Sequence, residues 1–246
     1  MHRLILRSAA IFLGILACVP LHYLWKLFGR PSPWPRRFLW WVGYAAGMRT
    51  RIVGTPLSSH VLFAGNHLSW LDIMVLAGAT GTAFVSKAEV GRTPVIGWLA
   101  NLNNTVYVER RDRAGAGSQA EAVRAAIATG QPVALFPEGS TDGGVDTLPF
   151  RASLFSSLFP PMEGVKVQAV AIDYGEAGAD IAWTGEEPAG ANVKRVLSRP
   201  GTTTVTLHFM PPMEPAHFVD RKDVANTARA QVAAALEPSA AGVDRL

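Results

Sequence analysis

The chain has a single cysteine, Cys18, in 246 residues. No internal disulfide can staple it, so a hydrophobic core must hold it. Charge is also scarce: Asp, Glu, Lys and Arg make up 17% of the sequence, against roughly 25% in an average soluble domain. Acidic residues are missing from the first 71 positions, which carry eight Lys and Arg. The first carboxylate is Asp72, and from there on acidic residues outnumber basic ones nineteen to fifteen. The chain lacks the metal-ligand spacings of a zinc site and the basic and aromatic motifs of nucleic-acid binders, which removes both classes. It has no internal repeat, which removes solenoids. The apolar share of 49% removes a disordered chain. What remains is one large domain, or one domain with an appendage.

The front of the chain is both its most basic and its most apolar part. Ser8 to Trp25 is an uncharged stretch of 18 residues between Arg7 and Lys26. As a helix it would span about 27 Å, short of a bilayer core of about 30 Å. A second apolar run, Phe38 to Met48, has only 11 residues. Between them Pro31, Pro33 and Pro35 enforce a break. Two apolar helices joined by a basic elbow, with Trp25, Trp34, Trp40 and Trp41 near its edges, suit an anchor in an anionic membrane surface. Arg3 and Arg7 followed by Ala9 to Val19 also fit a cleaved signal peptide, but the apolar, basic character continues past any cleavage point.

From His60 the pattern changes to short apolar runs alternating with helical stretches. Strands are expected at Val61–Ala64, Thr82–Val85, Thr105–Val108, Pro132–Phe136, Val165–Asp173 and Thr203–Phe209. Helices are expected at Ser69–Gly78, Val95–Leu102, Ser118–Ala128, Ala152–Leu158, Ala191–Leu197 and Val219–Leu236. This alternation argues for an α/β layered domain around a mostly buried mixed sheet.

Three constellations carry chemistry. Asn66-His67-Leu68-Ser69-Trp70-Leu71-Asp72 leaves a strand and opens a helix. Inside one helix His67 and Asp72 would stand about 140° apart. They meet only if His67 sits in the turn before the helix and Asp72 in its first turn, with Ser69 as a natural N-cap. An Asp on one imidazole nitrogen fixes the tautomer and frees the other nitrogen to take a proton. The same residues also read as a capping box, Ser69-x-x-Asp72. Phe136-Pro137-Glu138-Gly139-Ser140-Thr141 leaves the end of a buried strand, where α/β folds place ligands. Glu109-Arg110 ends a third strand, where the guanidinium could fork onto a phosphate. Lys87 stands at a comparable position.

Together these segments resemble the glycerolipid acyltransferases that acylate 1-acylglycerol-3-phosphate. Asn66, His67 and Asp72 match that family's N-H-x-x-x-x-D motif, Glu109 and Arg110 its second motif, and Phe136 to Gly139 the start of F-P-E-G-T-R-S. Ser140-Thr141-Asp142 stand where T-R-S is usual, so the motif's arginine is missing. Val167 to Ile172 match a fourth, apolar motif, with Ala169 in place of its proline. Leu148-Pro149-Phe150-Arg151 and Ala182-Trp183-Thr184-Gly185-Glu186-Glu187 resemble a bacterial branch that includes lyso-ornithine lipid acyltransferases.

The resemblance implies a glycerolipid acyltransferase-like fold, with residues 1–50 a membrane-associated helical segment and 51–246 the α/β acyltransferase domain. It implies transfer of a fatty acyl group to a lysolipid hydroxyl, first of all 1-acyl-sn-glycerol-3-phosphate, and alternatively lyso-ornithine lipid. His67 and Asp72 would be catalytic; Asn66, Lys87, Arg110, Glu138, Gly139, Ser140 and Thr141 would contact substrate. Acyl-CoA or acyl-carrier protein would serve as donor substrate, with no bound cofactor or metal. The expected partners are a lysolipid, an acyl thioester and a membrane, not nucleic acid. The expected location is the bacterial inner membrane, with the active domain on its cytoplasmic side. A serine hydrolase is disfavoured, because Gly139-Ser140-Thr141-Asp142-Gly143 sets its serine one place early for a nucleophile elbow. Gly115 to Ala120 imitates a dinucleotide fingerprint but is separated from its strand by charged residues. A non-catalytic membrane scaffold would have no need of the His67–Asp72 pair.

Overall fold

The computed structural model describes residues 2–108, 116–141 and 147–237. Seven strands form one sheet in the order β1-β7-β6-β2-β5-β3-β4. In chain order the elements are α1 (His2–Leu27), α2 (Trp34–Ala45), β1 (Met48–Val53), β2 (Val61–Gly65), α3 (Leu71–Thr80), β3 (Ala83–Lys87), α4 (Ala88–Gly91), α5 (Pro94–Leu102) and β4 (Val106–Val108). These are followed by α6 (Ala116–Ala128), β5 (Val133–Leu135), β6 (Lys166–Asp173), α7 (Gly178–Ile181), α8 (Ala189–Ser198), β7 (Thr203–Phe209) and α9 (Arg221–Leu236). Every strand pair is parallel except β6 with β7. The expected mixed α/β sheet is therefore what forms.

Parallel strands need cover on both faces, so their sequences are apolar throughout rather than alternating. Val61-Leu-Phe-Ala-Gly of β2 is buried at every position. One face packs Phe63, Leu71, Leu76 and Leu207 into a core with α3 and α8. The other packs Leu62, Ile127, Phe155 and Val224 under α6 and α9. Each such side chain contributes about 1.5–3 kcal/mol.

Ala152–Leu158 is the expected helix, of 3₁₀ type. Elsewhere the structure departs from the sequence reading. Met48–Val53 is a strand, paired in register with β7; only Met48 of its six residues is buried, so this edge strand has no apolar alternation to betray it. The second apolar helix starts at Trp34, inside the Pro-rich break, because Pro35 falls in its first turn, where the missing N–H costs nothing.

α1 runs unbroken through Pro20 and is the one described helix long and apolar enough to cross a membrane. Its inner face is nevertheless fixed to the body. Gly14 sits against the indole of Trp41, where any Cβ would collide. The Trp41 Nε1 donates to the Ala10 carbonyl at 2.8 Å. Arg7 donates to Gly201 O at 2.7 Å and reaches the carbonyls of Val196 and Leu197 at 3.4 Å. It thereby staples α1 to the carbonyl-rich end of α8, where a cation is favoured. The outer face exposes Ile5, Leu6, Phe12, Leu13, Leu16 and Leu24.

Candidate active site

β2, β3, β5 and β6 are mutually parallel, so the segments that follow them emerge at one edge of the sheet. Ala64 pairs with Leu135, which sets the His67 turn beside the Glu138 loop; Gly65 pairs with Val170, which brings the end of β6 alongside. This carboxyl edge is where open α/β sheets bind ligands.

His67 lies in the turn before α3, and Asp72 is in its first turn. The imidazole Nδ1 is 2.8 Å from Asp72 Oδ2. A carboxylate only accepts, so Nδ1 carries the proton and Nε2 is left with its lone pair. Asp72 is wholly buried, and its oxygens are saturated. Oδ2 also accepts the N–H groups of Leu68 at 2.7 Å and Ser69 at 2.8 Å, and Oδ1 accepts the Tyr174 hydroxyl at 2.7 Å. The carboxylate thus serves the helix start as well as the imidazole. Ser69 is not the formal N-cap: that place falls to Trp70, and the Ser69 Oγ only approaches Leu71 N at 3.4 Å.

Burial, followed by the Asp72 carboxylate, holds the Tyr174 phenol well above the usual tyrosine range. It therefore stays a donor to Asp72. The His67 ring stacks on Phe136 with centroids 4.0 Å apart and planes 4° apart; Phe136 in turn stacks on Phe84. The imidazole thus has a fixed tautomer and a fixed plane, with 19% of its side chain open.

The other expected site residues divide into distinct placements. Asn66 is buried and grips the Ile172 backbone from both sides: Nδ2 donates to its carbonyl at 3.0 Å and Oδ1 accepts its N–H at 2.7 Å. Glu138 is buried, with Oε2 accepting the His67 N–H at 2.9 Å and Oε1 the Leu148 N–H at 3.2 Å. Gly139 has φ +81°, and a Cβ there would lie 2.9 Å from the Arg151 guanidinium carbon. Arg151 therefore lies against the Glu138–Gly139 turn. Ser140 is exposed and Thr141 half-buried on the same loop. Lys87 is exposed at the carboxyl end of β3, on the same sheet edge. Glu109, Arg110 and Asp142 lie outside the described residues.

Beside the dyad is an apolar cavity of about 490 Å³, lined by Ile15, Phe38, Trp70, Phe84, Leu99 and Trp183 among others. Its wall joins the dyad through the Phe84–Phe136–His67 stack. Its volume falls in the range of ligand pockets.

Residues 49–173 match the acyltransferase family model. The chain belongs to the acyltransferase family. Among its relatives, this acyltransferase is 32% identical to a lyso-ornithine lipid O-acyltransferase of Rhodobacter capsulatus, over 94% of this chain and 88% of the relative. It is 38% identical to a 1-acyl-sn-glycerol-3-phosphate acyltransferase of Neisseria gonorrhoeae, over 50% of this chain and 48% of the relative. The solved structure of the 1-acyl-sn-glycerophosphate acyltransferase of Thermotoga maritima shares its fold, with a TM-score of 0.62 at 19% identity over 93% of this chain and 95% of that one.

The candidate site includes groups that sequence reasoning missed. Tyr174 is 102 positions from its partner Asp72, and the ring stack on His67 joins two separate loops. Only the position of Tyr174 at the end of an expected strand hinted at the site.

Proposed function

We propose that this acyltransferase moves a fatty acyl group from a thioester to the hydroxyl of a lysolipid at a membrane surface, with lyso-ornithine lipid as acceptor. The observation that carries the chemistry is the His67–Asp72 pair at 2.8 Å. His67 Nε2 takes the proton of the acceptor hydroxyl as its oxygen attacks the thioester carbonyl. Asp72 balances the imidazolium that forms. The tetrahedral intermediate then expels the thiolate as the C–S bond breaks, and His67 returns the proton to sulfur. General-base help of this kind is worth roughly 10²–10⁴ in rate. Asn66 and Glu138 act as positioning residues in this reading, since their polar atoms hold Ile172 and His67.

The donor is acyl-CoA or acyl-carrier protein, and the apolar cavity takes an acyl chain. The apolar outer face of α1, with its inner face stapled by Arg7, supports a helix lying in the membrane plane. The basic front would face anionic lipid on the cytoplasmic side of the bacterial inner membrane.

Two observations favour lyso-ornithine lipid over 1-acylglycerol-3-phosphate. The relatives alike along nearly the whole chain carry that name, and Thr141 stands where the motif's arginine, a natural partner for a phosphate, is usual. Arg151, against Gly139, supplies one cation for an acidic head group. 1-Acylglycerol-3-phosphate remains the second reading, favoured by the 38% identity over half the chain. Detergent-purified protein, offered both lysolipids with labelled acyl donors, tests the proposal. Transfer to lyso-ornithine lipid that His67→Ala abolishes is expected. Transfer to 1-acylglycerol-3-phosphate alone would reassign the acceptor, and transfer to neither by folded protein would overturn the activity.

A further inference from the structure

Trp70 and Trp183 both line the apolar cavity, and their indoles are held by linked partners, one on the Ala182–Glu187 loop and one on α8. The Trp183 Nε1 donates to the Glu187 carbonyl at 2.7 Å. The Trp70 Nε1 donates to Asn192 Oδ1 at 3.1 Å. Asn192 is wholly buried on α8; its Nδ2 donates to Glu187 Oε2 at 2.7 Å and to the Ala182 carbonyl at 3.3 Å. Glu187 is gripped by Arg195 in a fork, with Nε to Oε1 at 2.9 Å and Nη2 to Oε2 at 2.7 Å. Arg195 also donates to the carbonyls of Ala182 and Asp180. The loop is tied to the catalytic turn itself, because the Trp183 N–H donates to the Leu68 carbonyl at 2.7 Å.

The helical spacing of α8 makes this possible. Ala189 and Val193, four apart, line the cavity, while Asn192 and Arg195, three apart, turn to the loop. An indole is a large apolar plate with one polar handle, so a single buried hydrogen bond fixes how the plate sits. Removing one partner strands the other inside the protein, which is costly. The Ala182–Glu187 segment, which takes no part in the proton transfer at His67, thus has a definite task.

We propose that Asn192, Glu187 and Arg195 form a bracket of positioning residues that sets the Trp70 and Trp183 walls of the cavity and so determines which acyl chains the enzyme accepts. The inference rests on the reading that the cavity holds an acyl chain. A pocket discriminates one methylene by roughly 10-fold or more only if its walls stay put.

The test is kcat/KM for saturated acyl donors of graded length, using the full-length protein and the variants Trp70→Phe, Asn192→Leu and their combination. Each single variant should change the ratio between the best wild-type donor and one two methylenes longer by about 10-fold. The double variant should show little more, because both changes cut the same hydrogen bond. The pH profile of kcat should stay as in the wild type, since the dyad is untouched. Trp70→Phe keeps an aromatic ring in place and decides the matter if Asn192→Leu fails to fold. Unmoved ratios, strictly additive effects, or an equal loss on every donor would overturn the inference while leaving the acyltransferase activity standing. No transfer by the wild type from any donor would overturn both.

Discussion

The hydroxyl of Tyr174, just past the neighbouring strand β6, donates to Asp72 Oδ1 at 2.7 Å, so the carboxylate that steadies His67 is itself steadied by a phenol. Tyr174→Phe strands that oxygen in a buried site. Unfolding free energy should fall by about 1–3 kcal/mol. kcat should also drop, by less than in His67→Ala, because Asp72 keeps its other three donors. Chemical denaturation and steady-state kinetics on the same preparation check both parts; an unchanged kcat would make Tyr174 a purely structural group.

Glu138 sits in a motif read as substrate-binding, yet its carboxylate accepts the backbone N–H groups of His67 and Leu148. Glu138→Ala should therefore lower kcat by about 10-fold or more through misplacement of His67. KM for the lysolipid should change little. A rise in KM at constant kcat would instead return Glu138 to the acceptor's head group.

Arg7 closes the carbonyl end of α8 and fixes α1 to the body. Arg7→Met keeps the apolar stem and removes the donors. Melting temperature should fall, and α1 should become more open to limited proteolysis in detergent. Binding to anionic vesicles should persist, since the outer face of α1 is intact; loss of vesicle binding would show that the staple, not the apolar face, governs attachment.

Glu187 titrates at about 2 instead of the ordinary 4.5, chiefly through its hydrogen bonds from Arg195 and then from Asn192. A depressed carboxylate stabilises the fold above its unfolded pKa, and that contribution is lost as pH falls through the folded one. The wild type should therefore lose stability as pH falls from about 4.5 to about 2. Glu187→Gln should be less stable at neutral pH and show a shallower acid decline. Thermal melts across that range, wild type against variant, decide it; parallel curves would remove Glu187 from the acid response.

The dyad was legible in the sequence because its two members are five positions apart and sit on the two sides of a helix start, where local geometry alone brings them together. The strands β2, β5 and β6 were legible because burial on both faces writes a continuous apolar run, and β7 because its buried positions alternate along Thr203–Phe209. β1 was not, since an edge strand with five of its six residues outside the core carries no such run. The groups that complete the site were beyond any local pattern. Tyr174 lies 102 positions from Asp72, and Asn192 lies 122 from Trp70.

The sequence alone determined the class of fold, the basic and apolar front, and the pairing of His67 with Asp72, because periodicity and short spacing are properties of neighbouring residues. Only the tertiary structure decided which loops share the carboxyl edge of the sheet, that Glu138 and Asn66 hold backbone, and that Arg7 pins α1 along the body. Those outcomes follow from strand order and register, which bring together residues that no stretch of sequence contains side by side.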